Sequence, residues 1–107
     1  MLITTTNEIP GYAVDEVYGE VFGLTVRSRN FGSQMGAGLK SLVGGELKGM
    51  TKALVDSRSD VIARMVEAAE AKGANAIVAM RFDTSEMGGT WTEICAYGTA
   101  VKARKSA

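Results

Sequence analysis

The run Asn75-Ala76-Ile77-Val78-Ala79-Met80-Arg81-Phe82 arrives on Gly73-Ala74 directly after a long segment of helical periodicity. That junction constrains the fold more than any other stretch. A glycine closing a periodic run stops a helix, and an apolar run without alternation reads as a strand buried on both faces or covered by a helix. Upstream, Leu47, Met50, Leu54, Val61, Met65 and Ala69 are spaced 3, 4, 7, 4 and 4 apart, and Ala53, Ile62 and Val66 widen the stripe. The spacing predicts a helix from Glu46 to about Lys72, roughly 40 Å long at the usual rise per residue. Such a helix is long for 107 residues, so its stripe is expected to meet more than one short sheet. A break near Asp56-Ser57 is the alternative.

The flanking segments are rich in strand formers. Leu2 to Thr6 reads as a short strand, and Asn7 to Tyr12 as a connection holding Pro10, the one proline. Ala13 to Ser28 alternates, with Val17, Gly19, Val21, Gly23 and Thr25 on one face and Tyr18, Glu20, Phe22, Leu24 and Val26 on the other. Gly19 and Gly23 on one face mark a bend, a bulge or a closely packed helix. Residues 33–43 carry Met35, Leu39, Leu42 and Val43 at helical spacing among glycines, which suggests a short helix ending before Gly44-Gly45. Asp83 to Gly89 reads as the connection to a last strand, Thr90 to Lys102. That strand has its small residues (Thr92, Ile94, Ala96, Gly98, Ala100) beneath the helix, with Trp91, Tyr97 and Val101 toward another surface. The expected fold is one α+β domain over residues 1–107, a β-α-β-β arrangement with one long amphipathic helix on an antiparallel-rich sheet.

Charge and composition exclude several tasks. Twelve basic and twelve acidic side chains balance to zero, so no basic face calls for nucleic acid, and copies of the chain do not repel one another. No segment approaches the ~20 apolar residues of a membrane span, and the N-terminus does not read as a secretory signal. One cysteine and no histidine exclude a disulfide framework and the usual thiolate–imidazole metal set within one chain. A cytoplasmic, soluble protein is the expectation.

Candidate chemistry is sparse. Gly32 to Gly38 lacks the Lys-Ser/Thr ending of a phosphate loop, and a flexible or closely packed segment accounts for it. Glu46 sits where a helix start favours a carboxylate. Cys95 reads as a packed cysteine unless symmetry-related copies converge on a metal. Asp83, Glu86 and Glu93 match no calcium loop, and a solvated hairpin explains them. Arg58 lies eleven positions after Leu47 and seven before Met65. It therefore falls along the apolar stripe, where a guanidinium calls for a partner among Asp15, Glu16, Glu20, Glu46 and Glu93, or for a subunit boundary.

Taken in order, Gly11-Tyr12, Val21 to Asn30, Gly44-Gly45-Glu46-Leu47 and Ser57-Arg58 resemble the YbjQ-like family of uncharacterised proteins. Ala63-Arg64-Met65, Gly73 to Ala76, Arg81-Phe82-Asp83 and Ala96 to Val101 continue the match. The resemblance implies a dodecin-like small fold assembled as a ring, a pentamer, in a family labelled heavy-metal-binding and without a settled activity. Met50 stands where members often carry Tyr, so a role attached to that hydroxyl is lost here. The polar residues within these motifs, Arg27, Asn30, Glu46, Arg58, Asn75 and Arg81, are the candidate ligand-binding residues. Cys95 and Glu93 are the candidate metal ligands, and a divalent metal ion is the candidate cofactor.

Three functional classes remain. The first is a homo-oligomeric structural or ligand-binding module. The second is a metal-binding protein using symmetry-related Cys95 or acidic residues. The third is an enzyme with an intersubunit site, for which no catalytic residue can be named. The first is favoured, because an overlong amphipathic helix and a two-sided last strand both want a partner.

Overall fold

A computed structural model describes residues 1–28, 48–87 and 91–106. They form β1 (Leu2–Ile3), β2 (Tyr12–Ser28), α1 (Lys48–Ala71), β3 (Ala76–Met87) and β4 (Trp91–Lys105). The four strands make one mixed sheet in the order β1-β3-β4-β2. β1 runs parallel to β3, while β2 and β3 each run antiparallel to β4. One helix lies across one face, giving a small α+β domain.

The helix stops where its sequence says it must. Gly73 adopts φ +87°, and the amides of Lys72, Gly73 and Ala74 donate back to the carbonyls of Ala69, Glu70 and Ala69, a glycine cap on the last turn. Upstream the helix runs unbroken through Asp56-Ser57, so the alternative of a break there is overturned.

The stripe itself is rotated from the expected one. Ala53, Ser57, Val61, Met65 and Ala69 are buried, whereas Leu54 is 42% exposed. The cause is a close approach of backbones. A β carbon on Gly23 would collide with the Val61 carbonyl and lie 2.7 Å from the Met65 amide nitrogen. With the helix axis this near β2, the residues facing the sheet are predominantly small, and a larger leucine is displaced sideways. The small residue at Gly23 marks a closely packed helix, as one of the sequence alternatives held.

Gly19 marks the other alternative, a bulge. The β2–β4 register slips between Val14 and Glu16 and again between Val17 and Gly19, and Gly19 takes φ +99°. An inserted residue reverses the inside–outside alternation. Val17 is therefore exposed and Tyr18 packs against the helix-side core, the reverse of the expected faces. Beyond the bulge the alternation holds: Val21, Gly23 and Thr25 face the helix, and Phe22, Leu24 and Val26 face away.

The apolar run after Gly73 is buried on both faces. Ile77 joins Val61, Met65, Ala69, Ala96 and Ala100 beneath the helix. Ala76 and Val78 join Val101, Ala103 and Ile9 on the opposite face. Ile9 belongs to the connection after β1, so Val101, expected to look outward, is covered and 1% exposed. The expected strand over Leu2–Thr6 shortens to Leu2–Ile3. Thr4 and Thr6 instead accept hydrogen bonds from the amides of Met80 and Ala79 at 3.0 and 2.9 Å, where β3 slips register against β4 and Ala79 adopts φ 54°.

Asp83 to Met87, expected as a connection, continues β3 in register with Trp91 to Cys95. Polar residues suffice there because a strand can be solvated on one face. Gly88-Gly89, Thr90 and the expected helix over residues 33–43 lie outside the described residues.

The sheet thus has two unequal halves. Its proximal half carries the helix on one face and the Ile9 connection on the other. Among the described residues, its distal half, running toward Ser28, Met87 and Trp91, carries the helix alone. The radius of gyration is 17.0 Å and the principal extents are 55 × 30 × 17 Å, against about 13 Å for a compact domain of this length. Along the β2 edge, Asp60, Arg64 and Lys72 share one side of α1. They reach the Arg27 guanidinium, the Leu24 carbonyl and the Glu20 carbonyl respectively.

Candidate functional site

Two surfaces carry the polar and reactive groups, one on each face of the distal sheet. The outer face follows from strand register. Cross-strand neighbours Phe22 and Tyr97, Leu24 and Cys95, and Val26 and Glu93 pair across β2 and β4, while Arg81, Asp83 and Ser85 extend the same rows onto β3. Directly opposed residues point to the same side. Phe22, Leu24, Val26, Trp91 and Tyr97 are between 37 and 54% exposed, an apolar field with Cys95 near its centre.

Cys95 and Glu93 are therefore brought together, two residues apart on one face, with Asp83 opposite Cys95. The thiol donates to the Ala96 carbonyl at 3.7 Å. Burial pushes its pKa up, and the negative charges of Glu93, Asp83 and Glu20 push it further, so the neutral thiol is favoured. A thiophilic metal needs the thiolate and further donors. Among the described residues no three His, Cys, Asp or Glu side chains converge. The donor set of the described residues does not fit a resident metal.

The inner face holds a groove of about 380 Å³ between the first half of α1 and the sheet. Thr51, Leu54, Val55 and Arg58 supply one wall, at positions i, i+3, i+4 and i+7 of the helix, and Thr84 and Ile94 supply the floor. Thr84 and Ile94 are register partners on β3 and β4. The groove lies beside the buried row of the helix: Ala53, Ser57, Val61 and Met65 are buried, while Leu54 and Val55, further round α1, are 42 and 59% exposed. Arg58 holds its guanidinium 4.6 Å from the Phe82 ring centroid. Among the described residues no carboxylate pairs with it, and it makes a cation–π contact instead; Glu46, one of its expected partners, lies outside the described residues.

The other candidate ligand residues are dispersed. Arg27 pairs with Asp60 at 2.9 Å on the β2 edge. Asn75 donates to the Ala103 carbonyl and accepts from the Ala103 amide, both at 2.8 Å, so its side chain imitates a strand and adds a rung to the β3–β4 ladder. Arg81 donates to the Thr5 and Met80 carbonyls and ties the connection to the β3 bulge. Asn30 and Glu46 lie outside the described residues. Of the four that are described, only Arg58 lines the groove; the sequence reading missed Thr51, Val55 and Thr84. The signal was present as a second helical row, one position off the main stripe.

A family model described as "Putative heavy-metal-binding", the YbjQ family, matches residues 1–104. The chain belongs to this family. A YbjQ-family relative, a UPF0145 protein of Acidothermus cellulolyticus, is 71% identical over 102 residues, covering 95% of this chain and 94% of that protein. A UPF0145 protein of Streptomyces coelicolor is 63% identical over 101 residues, covering 94 and 95%. Among solved structures, a protein of unknown function of the DUF74 family from Pediococcus pentosaceus superposes with a TM-score of 0.64. It does so at 14% identity over 97% of this chain and 98% of that one, a likeness of fold. Among the described residues of this YbjQ-family chain, no helix is long and apolar enough to cross a membrane.

Proposed function

We propose that the chain works as a homo-oligomeric module, closed into a ring through the outer face of its distal sheet. The observation that carries this reading is the apolar field of Phe22, Leu24, Val26, Trp91 and Tyr97, exposed on a sheet half that the described residues cover on its other side only. Contiguous apolar surface of this kind marks an interaction site, and zero net charge leaves copies free to meet. A dodecin-like ring of five subunits follows the family resemblance. A cytoplasmic setting suits an unpaired Cys95. Native mass spectrometry and light scattering test the reading. A ring of five is expected, and the double variant Phe22→Glu/Tyr97→Glu should yield folded monomers. A wild-type chain that stays monomeric at tens of micromolar would overturn it.

A second reading is favoured by the placement of Cys95, Glu93 and Asp83 within that same apolar field. Assembly through this face would gather donors from several subunits around one divalent metal ion, supplying the ligands that a single chain lacks. Elemental analysis of the oligomer checks it. Stoichiometric metal lost in Cys95→Ser with the oligomer intact supports metal binding, and a metal-free oligomer sinks it.

A further inference from the structure

We propose that the groove between the first half of α1 and the β3–β4 floor binds a small amphipathic monoanion, a carboxylate with a short apolar tail. Every described residue that lines the groove comes from one chain, so this goes beyond the assembly reading and does not depend on it.

Three features of the lining select that chemistry. Leu54, Val55 and Ile94 present apolar surface, and the volume of about 380 Å³ lies in the range of small-molecule sites. Among the described lining residues Arg58 alone is charged, and no described carboxylate pairs with it, so an anion complements it. Positive ligands have no carboxylate among the described lining residues to hold them. Arg58 also rests against the Phe82 ring. A guanidinium that spends its face on an aromatic ring keeps its N–H edge for a planar oxyanion, which a carboxylate matches in bidentate fashion.

The charge count narrows the class further. A phosphate dianion or a nucleotide calls for several cations or a backbone nest, and the described lining offers one guanidinium. Thr51 and Thr84 add polar lining for the head group, while the walls supplied by Leu54, Val55 and Ile94 take the tail. A group with a single negative charge and a few methylenes fits both parts.

The test uses hexanoate as probe, with hexanol and hexylamine as matched controls, titrated into the full chain and followed by amide NMR shifts. Saturable shifts centred on Thr51, Val55, Arg58, Thr84 and Ile94 are expected for hexanoate, with both controls weaker by roughly tenfold or more. Arg58→Gln should weaken hexanoate by a similar factor, and Arg58→Lys by less, since it keeps the charge but not the fork. The same titration on Phe22→Glu/Tyr97→Glu separates this site from the assembly: hexanoate should bind that variant unchanged. Absence of saturable shifts, equal affinity for hexanol, or an Arg58→Gln affinity equal to wild type would each overturn the proposal.

Discussion

Gly23 on β2 lies against the backbone of Val61 on α1, with no room between them for a single β carbon. This contact sets the distance of the helix from the sheet, and with it the width of the groove that opens toward Thr51.

Gly23→Ala therefore has to push a backbone, not a side chain. A loss of about 3 kcal/mol or more is expected, read as a lower urea midpoint. Gly11→Ala provides the contrast. Its φ is +83° but nothing lies within 4 Å of the added carbon, so about 1–2 kcal/mol of backbone strain is the whole cost. Equal losses in the two variants would show that the helix does not sit where described.

Asn75→Ala removes an acceptor and a donor from the Ala103 backbone and should cost about 1–3 kcal/mol. Asn75→Asp keeps the acceptor for the Ala103 amide and loses the donor to its carbonyl, so it should fall between wild type and Asn75→Ala. Denaturant curves on the three proteins check that order.

Ala79→Gly should stabilise the chain by up to about 1 kcal/mol. At φ 54° an alanine pays for its β carbon, and glycine relieves that while adding some unfolded-state entropy. A rise in melting temperature is the expected reading, and a fall would mean that the alanine methyl contributes packing worth more than the strain.

Cys95 should react slowly with iodoacetamide at neutral pH, because its folded pKa is raised by burial and by Glu93, Asp83 and Glu20. Glu93→Gln and Asp83→Asn remove two of those charges, so each should lower the thiol pKa and speed alkylation. The stability term has a definite sign. The folded thiol keeps its proton to higher pH than the unfolded one, so ionisation favours the unfolded chain as pH rises past the unfolded thiol's range. This contribution is complete below that range and is lost above it. Alkylation as fast as that of an unstructured cysteine peptide would contradict the placement of Cys95 among these groups.

Much of the architecture was legible in local pattern. Gly73 ended the helix as its position required, and Ala76 to Val78 announced burial on two faces by lacking alternation. The failures share a cause in register and depth. Nothing local shows that two inserted residues in β2 swap Val17 and Tyr18, or that the helix rides low enough for Ala53 and Ser57 to replace Leu54 against the sheet. Asp83 to Met87 looks like a loop by composition, and only its pairing with β4 makes it strand. The candidate site suffered most. The motifs mark Asn75 and Arg81 as candidate ligand residues, yet their partners, Ala103 and Thr5, lie 28 and 76 positions away. The groove around Arg58 is lined by the helix row beside the buried one, and which row faces the sheet is set by the Gly23–Val61 approach.

With Arg64 and Lys72 donating to the Leu24 and Glu20 carbonyls, a strand arriving at β2 must first displace two cationic side chains from the groups it needs. Endless growth of a cross-β ribbon requires two receptive edges on every molecule, and here the far half of β3 supplies one while β2 is obstructed. Edge-to-edge pairing can join two such chains and then stops. A protein with a broad sticky sheet face is thereby guarded against fibrils by one row of a helix.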